Sequence, residues 1–167
     1  MRYGLPYKGS KNGIANWIID NLPSAEVFID AFGGGGAITH WKRQAAKQVI
    51  QQQIDSIYSV QPEATIVVMG DMNSEAKDDL QGMNNLAIGL EKEGKGTHKY
   101  HGIWSCLDQF YLSSRLLEKA DVRIFSPEWL LEEDSKYLDH QPKRTYVGYR
   151  YHDGYSDHLP IVLRVEW

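Results

Sequence analysis

ATIVVMGDMN, residues 64–73, decides how this chain is read. Its first seven residues are apolar, β-branched in the middle and closed by Gly70, the pattern of a buried strand. Asp71 and Asn73 stand directly beyond the strand's end. Upstream, residues 37–59 contain no proline or glycine and set Ile38, Trp41, Ala45, Ile50, Ile54 and Ile57 along an imperfect apolar stripe. A long helix is predicted there, with Gln and Lys on its outer face. Before the helix, Gly33 to Gly36 form an unbroken glycine run, and EVFIDA at 26–31 reads as another short strand. Strand, glycine turn, helix, strand is a βαβ unit, so the fold class is α/β. An earlier helix is predicted over 10–22, with Ser10 as N-cap and Pro23 as stop.

Downstream, LDQFYLS at 107–113, DVRIFS at 121–126 and PIVLRVE at 160–166 read as strands. NNLAIGL at 84–90 and SRLLEKA at 114–120 read as short helical turns. EWLLEEDSKYL at 128–138 is amphipathic and is read as helical or irregular, and RTYVGYRY at 144–151 as loop or edge strand.

The whole chain has 167 residues, 42% hydrophobic and 24% charged, a globular composition sized for one domain. No stretch approaches the roughly 18–20 apolar residues of a membrane helix. The polar start MRYGLPYKGSKNG has no apolar signal region, so a cytoplasmic location is expected. The single Cys106 excludes an intramolecular disulfide and a cysteine-built zinc site. A net charge of −4 leaves no global basic field for gripping nucleic acid.

Three acidic motifs carry the chemistry: GDMN at 70–73, Asp108 in LDQF, and SDH at 156–158 just before the last strand. Each stands at a strand end, where side chains from separate elements converge. Asp71, Asn73, Asp108, Asp157 and His158 together suit phosphoryl chemistry. Carboxylates hold Mg²⁺ or Mn²⁺ and orient water, a His fixed by an Asp contacts a phosphate oxygen, and an amide donates to developing charge. Arg144, Tyr146 and Tyr155 cluster before SDH and are read either as a grip on phosphate and base or as edge-strand packing. His98 and His101, with no adjacent carboxylate, are read as loop residues, and 92–99 as a solvated loop. Trp104, Trp129 and Trp167 are read as core or rim residues.

GDMN, LDQF and SDHLP, in that order, resemble the C-terminal half of the endonuclease/exonuclease/phosphatase superfamily. QAAKQVIQQQIDSIYSVQPEATIVVMGDMN, GTHKYHGIWSCLDQFYLS, WLLEEDSKYL and PKRTYVGYRYHDGYSDHLPIVL resemble its bacterial members. The resemblance implies a partial sandwich of one sheet plus helices over residues 42–167. It implies metal-dependent phosphoester hydrolysis with Mg²⁺ or Mn²⁺. Asp71 would orient or deprotonate water, Asn73 would contact the scissile phosphate and Asp157 would serve the metal. His158 would contact the phosphate, with Asp108 as its orienting partner. The superfamily's first half, with its early Asn, metal-ligating Glu and further His or Tyr, is not recognisable here. A truncated, weakly active or inactive phosphoesterase or nuclease relative is therefore expected.

LPYKGSKNGIANWIIDNLP and VFIDAFGGGGAITH resemble the start of Dam-type DNA adenine N6-methyltransferases. That resemblance implies an S-adenosylmethionine pocket lined by Tyr7, Lys11, Asp30, Phe32, Gly33 and Gly35. The family's D/N-P-P-Y motif is absent. The chain is thus read as a methyltransferase-like fragment, 1–41, fused to a phosphoesterase-like half-domain, 42–167, with the N-terminal strand free to add to the remaining sheet. Two alternatives stand beside phosphoester hydrolysis, a methyl-donor-binding remnant and a non-enzymatic stub. The expected partners are a phosphoester, nucleic acid among the choices, and a second copy of the chain docked on a bare apolar sheet face.

Overall fold

The computed structural model describes residues 27–32, 40–77 and 80–166, with 27–32 and 40–46 described by their backbone course. The βαβ unit forms from strand β1 (Val27–Phe32), helix α1 (His40–Val60) and strand β2 (Ile66–Asp71). β1 lies parallel to β2, with Val27 opposite Ile66 and Asp30 opposite Met69. On β2's other side runs β6 (Asp108–Ser113), antiparallel, and beyond it β3 (Met83–Asn85). The sheet order is β1-β2-β6-β3.

Period-two alternation divides this sheet's two faces. Ile66 and Val68 turn towards α1, where Ile50, Ile54, Ala64, Met72, Leu80, Met83 and Tyr111 close a core. Val67, Phe110 and Leu112 turn the other way. There they meet Val122, Ile161, Leu163 and Val165 of an antiparallel ribbon made by β7 (Ala120–Ile124) and β12 (Ile161–Val165). The architecture is mixed α/β: one sheet with a helix on one face and a strand ribbon on the other. The apolar face expected to lie bare for a second copy carries this ribbon instead. Six predicted elements fall where the pattern put them, β1, α1, β2, β6, β7 and β12, and the helical turn expected at 114–120 forms as a 3-10 helix over Ser114–Lys119.

Three stretches differ from expectation. Residues 84–90 split between β3 and a short helix α2 (Ala87–Lys92), with the Asn85 Oδ1 accepting the Ala87 N–H at its start. Residues 128–138 form one 3-10 turn, Glu128–Leu130, and then β8 (Leu131–Asp134), which pairs with β9 (Asp139–Pro142). The amphipathic spacing is compatible with a helix, but strand pairing and the burial of Asp134 against Lys99 override it. Residues read as solvated loop enter β4 (His98–Tyr100), which pairs with β5 (Ile103–Ser105). Thr97 is 0% and Lys99 2% exposed. The β4–β5 turn places His101 (φ 50) and Gly102 (φ 81) both in the left-handed region, as a two-residue hairpin requires. β10 (Tyr146–Val147) and β11 (Arg150–Tyr151) form an exposed hairpin within the stretch read as loop or edge strand. Of the two readings left open for Trp129, core or rim, its 55% exposure fits the rim. The predicted helix over 10–22, the glycine run 33–36 and Trp167 lie outside the described residues.

Candidate active site

The end of β2 and the beginning of β6 lie side by side, so Asp71 stands directly opposite Asp108. Just past β2, Asn73 takes a positive φ of 50°, which Asn tolerates better than most residues. Its backbone N–H donates to Asp71 Oδ1 at 2.8 Å and its amide to Asp71 Oδ2 at 3.0 Å. Met72 N–H donates to the Leu107 carbonyl at 2.7 Å and ties this turn to the residue before Asp108.

Gln109 anchors the same turn from below. Its side chain is fully buried. Its Nε2 donates to the Ser74 and Cys106 carbonyls at 2.7 and 2.9 Å. Its Oε1 accepts from Asn85 Nδ2 and the Tyr111 hydroxyl at 2.9 and 3.0 Å. All four hydrogen-bonding positions of the amide are used.

His158 arrives on the loop before β12. Its Nδ1 lies 2.7 Å from Asp108 Oδ2. Its backbone N–H donates to Ser156 Oγ at 3.1 Å. Thr97 links both motifs: its carbonyl accepts the Leu159 N–H at 2.7 Å and its hydroxyl accepts the Asp108 N–H at 3.2 Å. An isolated antiparallel bridge sets His98 opposite His158, with ring centroids 4.8 Å apart.

The electrostatics follow from burial and proximity. Burial pushes the Asp71 carboxyl above its usual range; the Asn73 N–H opposes this, and the nearby Asp108 charge adds to it. Burial disfavours charge on His158, but the Asp108 hydrogen bond and the Asp108, Asp71 and Asp157 charges outweigh it and raise its pKa. Burial, then the neighbouring His158, lowers that of His98. Burial, aided by Glu91, pushes the Cys106 thiol up to about 12, which leaves it inert.

The structure therefore brings Asp71, Asn73, Asp108 and His158 into one constellation, with Asp157 beside it acting on Asp71 and His158 through its charge. Ligand atoms of His98, Asp157 and His158 lie within 4.8 Å of one another, so divalent-ion ligands are at hand. Arg144 donates from Nη2 to the Lys99 carbonyl at 2.9 Å, and its charge reaches His98. Tyr146 packs edge-on against Tyr151, and Tyr155 against Trp129 at 5.2 Å. Of the residues assigned to a methyl-donor pocket, Tyr7, Lys11, Gly33 and Gly35 lie outside the described residues. Asp30 and Phe32 lie on β1. An open concavity of about 700 Å³ between Leu90, Trp104, Val122 and His140 is separate from the constellation.

Sequence reasoning missed His98, Thr97 and Gln109. The one legible signal was the His101-Gly102 pair, a hairpin turn that would have put 97–100 on a strand.

A mixed α/β sheet with carboxylates at paired strand ends and an Asp-anchored His defines the class of protein. The sequence model of the endonuclease/exonuclease/phosphatase family matches residues 27–167, and the chain belongs to that family. Two solved structures are similar, both of TDP2 from Caenorhabditis elegans. The truncated form has a TM-score of 0.48 and 16% identity, over 78% of this chain and 50% of that one. The selenomethionine form has a TM-score of 0.49 and 16% identity, over 78% of this chain and 38% of that one. The chain thus spans half or less of the length of these structures. No curated protein matches it. No helix among the described residues is long and apolar enough to cross a membrane.

Proposed function

We propose that this chain catalyses slow, metal-assisted hydrolysis of a phosphodiester. One observation carries the reading: His158 held by Asp108 at 2.7 Å, with Asp71 directly across the strand pair from Asp108. The family's phosphoesterase and nuclease lineage supports it. Asp71, its proton affinity raised by burial, orients the attacking water and accepts its proton. Asn73 spends one amide hydrogen on Asp71 and keeps the other for a phosphate oxygen. Asp108 fixes the His158 ring so that Nε2 points away from the carboxylate and donates to the phosphate. Asp157, with the neighbouring carboxylates, would hold Mg²⁺ or Mn²⁺, which neutralises phosphate charge. Turnover is slow because the early Asn, the metal-ligating Glu and the further His or Tyr that the superfamily resemblance implies are not recognisable among these residues.

The test is hydrolysis of a chromogenic phosphodiester with Mg²⁺ or Mn²⁺, beside Asp71→Ala and His158→Ala. General acid–base and electrostatic groups contribute about 10²–10⁴-fold each, so both variants should fall to background while circular dichroism stays native. A rate equal in wild type and both folded variants would overturn the assignment.

A further inference from the structure

His98 is fixed from two sides. The bridge to His158 and the Leu159-to-Thr97 hydrogen bond at 2.7 Å set the two imidazoles opposite one another. Residues directly opposed across a strand pair put their side chains on the same face, about 4.5–5.5 Å apart at Cβ. The neighbour, Lys99, points the opposite way and is held there. Its Nζ donates to Asp139 Oδ2 and the His140 carbonyl, each at 2.9 Å, and lies 3.4 Å from Asp134 Oδ2. Because side chains alternate along a strand, pinning Lys99 holds His98 on the face of His158.

The third member, Asp157, is solvent-exposed and precedes His158 in the chain. The potential ligand atoms of all three lie within 4.8 Å of each other. Ligands on one ion at about 2.1 Å sit about 3 Å apart, so rotation of the exposed Asp157 and a small ring adjustment would close the set. His158 already has the outer arrangement that metal-binding histidines use. Asp108 holds Nδ1, which leaves Nε2 as the free donor. Two imidazoles and one carboxylate are a poor set for Mg²⁺, which prefers oxygen, and a good one for ions late in the first transition row.

We propose that His98, Asp157 and His158 form a binding site for a late first-row divalent ion of the Zn²⁺, Co²⁺ or Ni²⁺ type. The inference does not rest on phosphoester hydrolysis, since binding is read without substrate. The ion draws on the same His158 nitrogen as a phosphate oxygen and on the same Asp157 carboxylate as Mg²⁺ or Mn²⁺ in the hydrolytic reading, so the occupancies alternate.

The experiment titrates Co²⁺ into the untagged full chain after chelator treatment, following visible d–d absorption and calorimetric heat. One equivalent should bind with imidazole-type bands, Zn²⁺ should displace it, and a hundredfold excess of Mg²⁺ should not. His98→Ala and Asp157→Ala should each weaken Co²⁺ at least tenfold, with circular dichroism unchanged. No saturable binding, displacement by Mg²⁺ as easily as by Zn²⁺, or unchanged affinity in the folded variants would each overturn the site. If His98→Ala fails to fold, the exposed Asp157→Ala decides the question. A chain that binds Co²⁺ but hydrolyses nothing would retain this site and lose the phosphoesterase reading.

Discussion

Gln109 looks unremarkable in LDQF, yet it joins three segments. Its amide receives Asn85 and Tyr111 and grips the carbonyls of Ser74 and Cys106, so the turn carrying Asn73 hangs from a buried, fully bonded group. Gln109→Leu keeps the volume close and removes the amide N–H donors from the Ser74 and Cys106 carbonyls. An unmet buried polar group costs about 1–3 kcal/mol, so the variant should unfold at lower urea by a free energy in that range. Phosphodiester hydrolysis should fall with it, because Ser74 adjoins Asn73. At the same scale Asp71, Asn73, Asp108, Asp157 and His158 were legible as residue types at strand ends, since the motifs are contiguous words. Gln109 was not, because nothing local distinguishes a buried glutamine from an exposed one.

The β4–β5 hairpin and the β8–β9 hairpin are joined by Lys99, 2% exposed, between Asp134 and Asp139. The hydrogen bond from Lys99, with those from the His140 backbone and Trp104, lowers the Asp139 pKa to about 2. A carboxylate whose folded-state pKa lies below its unfolded value stabilises the fold above the unfolded value, about 3.9, and loses that contribution as pH falls through the folded one. Thermal unfolding followed from pH 6 down to pH 2 should therefore show a loss of Tm that begins below about pH 4. Asp139→Asn should lower Tm at pH 6 and flatten that decline. Both hairpins escaped the sequence pattern. Residues 128–138 have helical spacing, and the burial of Lys99 depends on two aspartates more than thirty residues downstream.

Over the whole molecule, α1 and the β7–β12 ribbon enclose the central sheet from opposite sides. Ile54, 0% exposed, is the helix's deepest contribution. Ile54→Ala should cost about 2–5 kcal/mol by lost burial and the cavity left behind, read as a lower urea midpoint with unchanged slope. An exposed position on the same helix, Gln52→Ala, should stay within about 0.5 kcal/mol. Local pattern was enough for the α/β class, for a helix over 37–59 that forms as His40–Val60, for the strands β1, β2, β6, β7 and β12, and for the acidic words beside β2, β6 and β12. These depend on periodicity, β-branching and chain breakers, which act over a few residues. The tertiary structure alone decided that the ribbon covers the sheet's second face, that Lys99 is buried, and that His98 meets His158. Those outcomes depend on pairing between segments about forty to sixty residues apart and on desolvation set by distant groups, neither of which leaves a local pattern in the chain.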